Sequence, residues 1–453
     1  MTRNILSPRA ATRRKLLKFG AAASVLPWVH IRTAGASGHL TMFTWDHWVP
    51  ATNVELQRQI ALFSSKTKVE VKLDFVTSQG NQTLLTLNAQ ALGKTGHDVI
   101  WGANFTLLDQ AHLLEPMDDV VGRLEAQSGK ANPATTYLGK YKGRWIAVPS
   151  SWGGMMLGPA GRISILKEAA GLDVVKMYPA GDMAETAEAK AWTWEAFLKA
   201  AEACHKVGKP FGLGLGTTGD SVNSTSSILA AYGAEMVDAK GAIQMKTDAM
   251  RQVLEYAQRL VKFLPADAQS WDDASNNRAL ISGQSAMIFN PPSAWAVALR
   301  DAPAVAADTW HFPTPTGPKG RFVPTNSGFW GMWQFSRNKS AGKELIEFLM
   351  QPEHVATRII SSAGYDIPPY QKMTASNAWD KIGPPVGSMY NYPLRKQHNA
   401  IESVAHMAAA PEVALQIINR GTAPTMFAKL QAGESINQVI DWATRELAGF
   451  VRG

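Results

Sequence analysis

An alternation of strands and helices near the start of the chain constrains the fold more than any other feature. Helical spacing through Leu56, Ile60 and Phe63 separates the first strand-like stretch from the second, and a helix ending in glycine separates the second from the third. Strands joined by helices of this length form a parallel sheet, whose ligand crevice lies beyond the carboxyl ends of the strands. We therefore expect an α/β fold that begins β-α-β-α-β. The three strand-like stretches are "HLTMFTW", "KVEVKLDFV" and "HDVIWG".

A second alternating region starts after a Gly and Ser segment, "PSSWGG". It contains the helical patterns "AWTWEAFLKAAEACHKVG" and "TDAMRQVLEYAQRLVKFL", and then a strand, a turn and a helix in "SGQSAMIFNPPSAWAVAL". The last hundred residues have mostly helical spacing. The stretch "PTPTGPKGRFVPTN" is rich in Pro and Gly, so we expect a surface loop there.

Residues 1–36 have the pattern of an export signal. Basic residues with no acid among them precede a short apolar run, and the triplet Ala34-Gly35-Ala36 provides an A-x-A cleavage site. The apolar run is much shorter than the roughly 20 residues of a membrane-spanning helix. The stretch "TRRKLLK" resembles a twin-arginine signal, with a plain Sec signal as the alternative. We expect cleavage near Ala36 and a periplasmic protein.

Charge and cysteine content exclude several classes of partner. Loss of the leader removes seven basic residues, which lowers the net charge from +8 to about +1. Neither nucleic acid nor a membrane surface is therefore expected as a partner. The only cysteine, Cys204, cannot form an internal disulfide. We expect no cofactor, and His47 has no second His or Cys at the spacing of a zinc site.

Four stretches, in order, resemble the family 1 extracellular solute-binding proteins of bacterial ABC importers, the group that includes maltose-binding protein. The C-terminal "GESINQVIDWATRELAGF" extends the resemblance over nearly the whole mature chain. Their order and spacing, rather than any one stretch, carry the match. The four are "LLTLNAQALGKTGHDVIWGAN", "WTWEAFLKAAEACHKVGKPFGLGL", "GQSAMIFNPPSAW" and "TNSGFWGMWQFSRNKSAGKELIEFLMQPE".

The resemblance implies a two-lobe periplasmic-binding-protein fold of the type II kind, with a ligand cleft between the lobes. On the family's pattern, lobe 1 comprises 37–150 and 286–336, and lobe 2 comprises 151–285 and 337–453. The family also implies a monomer that delivers its ligand to the transmembrane subunits of an ABC permease. Lobe closure would then be a hinge motion absorbed by Gly153, Gly154 and the segment near Asn290.

The loops expected at the cleft favour an uncharged ligand. They contain tryptophans, amides and hydroxyls, but neither lysine nor arginine, which would normally bind an anionic ligand. Sugars have apolar faces that indoles can cover and hydroxyl edges that carboxylates and amides can pair. We therefore expect a carbohydrate or polyol as ligand. The loops are "TWDHW", "TSQGN", "WGANF", "PSSWGG", "GTTGDSVNS", "FNPPSAW" and "SGFWGMW".

The stretch "TWDHW" supplies four candidate ligand-binding residues, Trp45, Asp46, His47 and Trp48. Strand alternation requires at least one of its two indoles to be buried, and Asp46 could instead cap the next helix. Trp152 is a candidate platform, with packing at the hinge as the alternative. Trp330 and Trp333 point to opposite faces of the late strand, and we favour Trp330 for the cleft.

Six further candidates complete the predicted ligand-binding set. Each has a structural alternative, since the amides can shape turns or cap helices. Tyr365 rests on the resemblance alone. The six are Gln79, Asn81, Asn104, Asn223, Asn290 and Tyr365.

Two other functions compete with carbohydrate binding. Tryptophans around Asp46 also describe a cage for a cation, such as a polyamine or a betaine-like compound. A glycoside hydrolase would need two opposed carboxylates, and the cleft loops offer only Asp46 and Asp220, without an acid-base constellation. We therefore expect a binding protein rather than an enzyme.

Overall fold

The structure is a computed structural model, and it describes residues 38–179, 185–375, 400–403 and 408–451. The predicted export signal, residues 1–36, lies outside the described residues. The strands of the described part are β1 (His39–Trp45), β2 (Glu70–Val76), β3 (Val99–Ala103), β4 (Lys140–Tyr141), β5 (Arg144–Trp145), β6 (Val148–Met156), β7 (Pro159–Arg162), β8 (Met287–Phe289), β9 (Thr309–His311), β10 (Thr316–Gly317), β11 (Gly320–Met332) and β12 (Ala400–Ser403).

The α-helices lie between and after these strands, and short 3₁₀ turns such as Leu108–Leu113 supplement them. They are α1 (Pro50–Thr67), α2 (Gln82–Gly93), α3 (Asp118–Ser128), α4 (Pro133–Gly139), α5 (Ile163–Ala170), α6 (Val174–Met177), α7 (Ala187–Ala191), α8 (Trp194–Lys206), α9 (Gly219–Tyr232), α10 (Asp248–Leu260), α11 (Ser275–Ile281), α12 (Ser293–Asp301), α13 (Pro303–Ala307), α14 (Lys339–Leu349), α15 (Pro352–Ser361), α16 (Pro411–Asn419), α17 (Thr422–Gln431) and α18 (Ile436–Val451).

The predicted β-α-β-α-β opening is confirmed. β1 pairs in parallel with β2 over its whole length and with β3 at Met42 and Val99, while α1 and α2 make the crossovers. α1 begins with Pro50 in its first turn and buries Leu56, Ile60 and Phe63 on one face. The carboxyl ends of the three strands therefore lie along one edge of the first sheet, as the periodicity predicts.

A long strand, β11, completes this sheet and disproves one sequence prediction. β11 pairs antiparallel with β3 and β6, and with β10 through a tight hairpin. The stretch predicted as a surface loop is therefore largely a buried strand. The prolines of this stretch led to the wrong prediction. Pro324 is tolerated in the strand because its carbonyl accepts from the Leu157 N–H at 2.8 Å, and no backbone N–H is needed at that position.

A second, three-stranded sheet has β7 at its centre, antiparallel to both β8 and β9. Helices α8, α9 and α10 pack with it in the largest hydrophobic cluster, where Trp194 and Phe197 are buried. The "GQSAMIF" segment was expected to return the chain to the first lobe, and β8 instead belongs to this second sheet. The strand that rejoins the first sheet is β11.

The helices after β11 also differ in position from the predicted lobe boundary. α14 and α15 contact α1, and their Leu345 and Ile359 share a hydrophobic cluster with Leu40 and Met42 of β1. α17 packs with α9 and α10, and α18 packs with α10, whereas α16 packs on α17, α18 and the 3₁₀ turn Leu108–Leu113. Residues 339–361 thus accompany the first sheet, whereas α17 and α18 accompany the second.

Candidate functional site

A cavity of about 270 Å³ lies beyond the carboxyl ends of the first sheet. Trp45 ends β1, Asn81 follows β2, and Asn104 follows β3, and all three line the cavity. The opposite wall is built by residues that accompany the second sheet, among them Asp220 at the start of α9 and Asn290 after β8. The crevice therefore forms where the parallel-sheet rule places it.

One wall of the cavity is aromatic. Trp45 stacks on Trp101, with ring centroids 5.6 Å apart and planes 20° apart, and Tyr365 packs against Trp45 at 6.0 Å. Both indoles are almost completely buried, at 4% and 6% exposure, whereas Trp48 is half-buried at the rim. The stacked pair forms a rigid floor, and Trp48 presents the more accessible indole face.

A buried hydrogen-bond network holds this floor in place. The Val49 N–H donates to His47 Nδ1 at 3.0 Å, so the ring proton is on Nε2, which donates to Asp366 Oδ1 at 3.2 Å. The same oxygen accepts from the Gly153 N–H at 3.0 Å. His47 therefore joins three chain segments below the aromatic wall and does not face the cavity.

Gly153 is required at this junction. Its φ is +72°, and an added Cβ would lie 2.7 Å from the Trp101 ring. A larger residue would be strained and would also displace the indole that forms the floor. The predicted hinge role of Gly153 remains a prediction.

The opposite wall is polar, and its amides are largely occupied by one another. Asn290 Nδ2 donates to Asn277 Oδ1 at 2.6 Å, while Asn290 Oδ1 accepts from the Ser293 hydroxyl at 2.9 Å. Asn276 Nδ2 donates to Asp220 Oδ2 at 2.9 Å. This network fixes the start of α11 and α12 against α9 and leaves few amide groups for a ligand.

Two carboxyl groups on this wall have perturbed acidity. Burial, with repulsion from Asp273, raises the pKa of Asp220 to about 8. Burial also raises the pKa of Asp273, to which Asp272 contributes repulsion. Such shifts are common at binding and catalytic sites. Among the described residues that line the cavity, none is a lysine, arginine or histidine, so no cation offsets this pair.

Three asparagines meet at the junction of the two walls. Asn326 Oδ1 accepts from Asn104 Nδ2 and from Asn223 Nδ2, each at 2.6 Å. Asn104 has a left-handed φ of +47°, and its Oδ1 accepts from the Ser327 N–H at 2.9 Å. Because Asn104 Oδ1 is occupied in this way, its amide nitrogen must face Asn326, which fixes the orientation of both side chains.

The structure brings half of the predicted ligand-binding residues to the cavity. The predicted residues that line it are Trp45, Trp48, Asn81, Asn104, Asn290 and Tyr365.

The other six predicted residues lie elsewhere in this conformation. Asp46 is exposed and accepts from Asn53 Nδ2 at 2.7 Å, so it neither lines the cavity nor caps α1, whose N-cap is Val49. Gln79 is exposed. The four that are buried behind the cavity wall are His47, Trp152, Asn223 and Trp330. Asn223 is not a helix cap either, since Thr218 caps α9.

Sequence reasoning missed several lining residues. Trp101 stands at the carboxyl end of β3, and this position alone could have identified it. Asn326 was hidden because its segment was expected to be a loop. Asp273 and Asn277 adjoin Asp220 only in the folded chain, and their stretch has no motif that would reveal this.

The described residues contain no group of three or more His, Cys, Asp or Glu side chains placed to hold a metal ion. None of the helices in the described ranges combines the length and the apolar character that crossing a bilayer requires. Cys204 is buried and unpaired, as the cysteine count predicts.

An α/β chain with two sheets and a lined cavity between them is the architecture of a binding protein that encloses its ligand between two lobes. Residues 59–382 match the sequence profile described as bacterial extracellular solute-binding protein. The chain belongs to this family of exported solute-binding proteins, and the family prediction is confirmed. None of the curated protein sequences compared with the chain matches it.

Solved structures share the fold at low sequence identity. A maltose-bound MalE3 of T. maritima is 19% identical, with a TM-score of 0.67 over 90% of this chain and 99% of its own. A protein of Synechococcus sp. MITs9220, described as a putative oligosaccharide periplasmic-binding protein in complex with zinc, is 16% identical, with a TM-score of 0.72 over 91% and 99%. A sugar transporter protein of Arthrobacter chlorophenolicus with bound laminaribiose is 16% identical, with a TM-score of 0.66 over 91% and 99%. The predicted two-lobe fold is confirmed.

Proposed function

We propose that the protein captures an uncharged carbohydrate or polyol and delivers it to the transmembrane subunits of an ABC permease. The observation that carries the proposal is the composition of the cavity: indoles on one wall, amide and carboxyl groups on the other, and no basic side chain among the described lining residues. Indole faces cover the C–H faces of a sugar, and carboxyl groups pair with its hydroxyls. The sugar-binding structures that share the fold support the proposal.

The state of Asp220 favours a neutral ligand. With a pKa of about 8, this carboxyl group holds its proton at neutral pH in the ligand-free protein. A protonated carboxyl group both donates and accepts hydrogen bonds, as a sugar hydroxyl does, and it offers no charge to a cation. At Asp220 the cavity thus presents a neutral acid rather than the carboxylate that a polyamine would need, and Asp109 and Asp273 are the other acidic residues of its lining.

A thermal-shift screen over sugars, polyols, polyamines and amino acids tests the proposal. A ligand at 100 times its dissociation constant adds about 2.7 kcal/mol to the free energy of unfolding. We expect a response to neutral sugars or polyols, and a response to cations alone would overturn the assignment. The protein should first be unfolded and refolded, because a ligand retained from the cells would mask the shift.

A cationic ligand is the second candidate, and the paired carboxyl groups of Asp220 and Asp273 are the observation in its favour. The pH dependence of affinity separates the two. A neutral ligand that uses the protonated Asp220 should bind more weakly as the pH rises through 8. A cation should bind more tightly over the same interval, because the carboxylate forms there.

We further propose lobe limits that follow the observed packing. The first lobe takes 38–150 and about 328–373, and the second takes 157–317 and 408–451, with β6 and β11 crossing between them. Export to the periplasm, cleavage near Ala36, twin-arginine rather than Sec transport, and a monomeric state are further parts of the proposal. The basic leader and its Ala34-Gly35-Ala36 triplet support the first three.

A further inference from the structure

We propose that Asn326 is the latch that holds the two lobes closed, and that its amide nitrogen is a donor to the ligand. Its side-chain carbonyl oxygen accepts from Asn104, which follows β3 of the first sheet, and from Asn223 on α9. One oxygen with two lone pairs thus links a residue of each lobe. The latch depends on the proposed lobe limits. Only the second part, in which the amide nitrogen donates to the ligand, depends on the proposed ligand class.

The position of Asn326 along β11 supports the latch. The pairing of β11 with β6 shifts register between Asn326 and Gly328, and an added Cβ at Gly328 would lie only 1.8 Å from the Trp152 carbonyl oxygen. A strand bends where its pairing register shifts. The two strands that cross between the lobes, β6 and β11, are therefore irregular next to Asn326. Rotation of the lobes about it would separate Asn326 from either Asn104 or Asn223.

The two donors are anchored to different parts of the molecule. Asn104 is fixed to β11 by the Ser327 N–H at its Oδ1, and its own N–H donates to the Ser327 carbonyl at 2.8 Å. Asn223 is buried within α9, which packs on α10 and α17 as well as on β11. We infer that opening breaks the hydrogen bond from Asn223 to Asn326, since Asn104 is tied to β11 by two further hydrogen bonds.

Asn326 also has a group left for the ligand. Its Oδ1 is fully used, whereas its Nδ2 has no hydrogen-bond partner among the described residues and the side chain lines the cavity. A ligand oxygen that accepts from this nitrogen would stabilise the same rotamer that closes the latch. Ligand binding and closure would then reinforce each other through one side chain.

The latch can be tested without any ligand by Asn223→Ala, which removes the donor of the second lobe and lies outside the cavity lining. Donor and acceptor dyes attached at Leu92→Cys on α2 and Val207→Cys after α8, both exposed positions, would report lobe separation by single-molecule energy transfer. Cys204 should stay unlabelled, since burial raises the pKa of its thiol to about 11. The matched control is Ser227→Ala, whose buried hydroxyl donates only to the Ser224 carbonyl within α9.

We expect Asn223→Ala to shift the ligand-free equilibrium towards the open form by about 2- to 12-fold, the effect of one hydrogen bond. Ser227→Ala should leave the distribution as in the wild type. An unchanged distribution in Asn223→Ala, with its melting temperature close to that of the control, would overturn the latch. A wild-type chain that is fully open without ligand would overturn it as well.

Asn326→Asp separates the two roles and remains informative if Asn223→Ala fails to fold. Its carboxylate can still accept from both asparagines, so the ligand-free distribution of open and closed forms should match that of the wild type. It has no amide donor, so affinity for the ligand found in the screen should fall by about 10-fold or more. A shift of ligand-free Asn326→Asp towards the open form, relative to the wild type, would refute the carbonyl latch, and wild-type affinity would refute the ligand donor. Because the first measurement needs no ligand, its failure is distinct from failure of the carbohydrate proposal.

Discussion

Replacing Asp220 by asparagine should stabilise the ligand-free protein at neutral pH. The Asp220 carboxyl group has a folded pKa of about 8, because of burial and of repulsion from Asp273, against an ordinary value of 3.8. Between these values the folded chain holds a proton that the unfolded chain has lost. The free energy of unfolding therefore falls as the pH rises from about 4 to about 8, and it changes no further above that range.

The size of the effect follows from this interval. Each pH unit over which the proton numbers differ costs about 1.4 kcal/mol. Asp220 is only partly buried, so solvent screening reduces the full sum, and we expect about 3 kcal/mol in total. An asparagine is neutral at every pH, and its side-chain oxygen can still accept from Asn276 Nδ2, as Asp220 does at 2.9 Å. The gain should thus be largest near pH 8 and vanish near pH 4.

Urea unfolding of the mature, ligand-free chain at intervals from pH 4 to 8.5 would measure this gain. Asp272→Asn is the control, because the pKa of Asp272 is shifted in the opposite direction. A hydrogen bond from Ser275 and the charge of Arg278 lower that pKa, so removing the Asp272 carboxylate should not stabilise the protein at neutral pH. If Asp220→Asn and the wild type lose stability in parallel as the pH rises from 4 to 8, the carboxyl group is ionised in the folded state and the reasoning fails.

Three further predictions concern the cavity. Trp48→Ala should weaken ligand binding because it removes a half-buried indole from the cavity lining. Trp45→Ala, at a position with 4% exposure, should mainly lower the free energy of unfolding, by about 3 to 5 kcal/mol. Calorimetric affinity and the melting temperature without ligand distinguish the two effects. Asp46→Asn should change affinity less than about 3-fold, because the carboxylate already pairs with Asn53 away from the cavity, and a loss of 10-fold or more by calorimetry would return Asp46 to the site. Solution scattering should show a smaller radius with ligand than without, and no contraction at saturation would contradict hinge closure.

The fold could be predicted from periodicity where the chain is regular. Helical and strand periods in the first hundred residues fix the parallel sheet, and with it the edge at which Trp45, Asn81 and Asn104 meet. The prediction failed at β11, because Pro and Gly there obscure a strand that is held by pairing with residues far away in sequence. The lobe limits that we propose depend on that strand, so they differ from the limits that the sequence pattern predicts.

Only half of the predicted ligand-binding residues line the cavity, and the cause again lies in contacts between distant parts of the chain. Period-two alternation shows that Trp330 and Trp333 point to opposite faces, but both faces of this sheet are covered, and both indoles are completely buried. Alternation therefore separates the two faces without identifying the one that meets a ligand. Asn223 and Asn326 are 103 residues apart, and no local pattern predicts that one donates to the other.

Hydrogen-bonding capacity, more than position, decides which lining residues can hold a ligand. Asn290 lines the cavity, yet its oxygen already accepts from Ser293 and its nitrogen donates to Asn277, so its predicted alternative, a structural role, fits better. Asp273 Oδ1 has no hydrogen-bond partner in the described part of the chain, and Asn326 Nδ2 likewise has none there. An unpaired buried polar atom such as Asp273 Oδ1 is costly until something binds it. These two groups, one on the wall of the second sheet and one at the lobe junction, are where a ligand held against the indole floor would gain most in polar contacts.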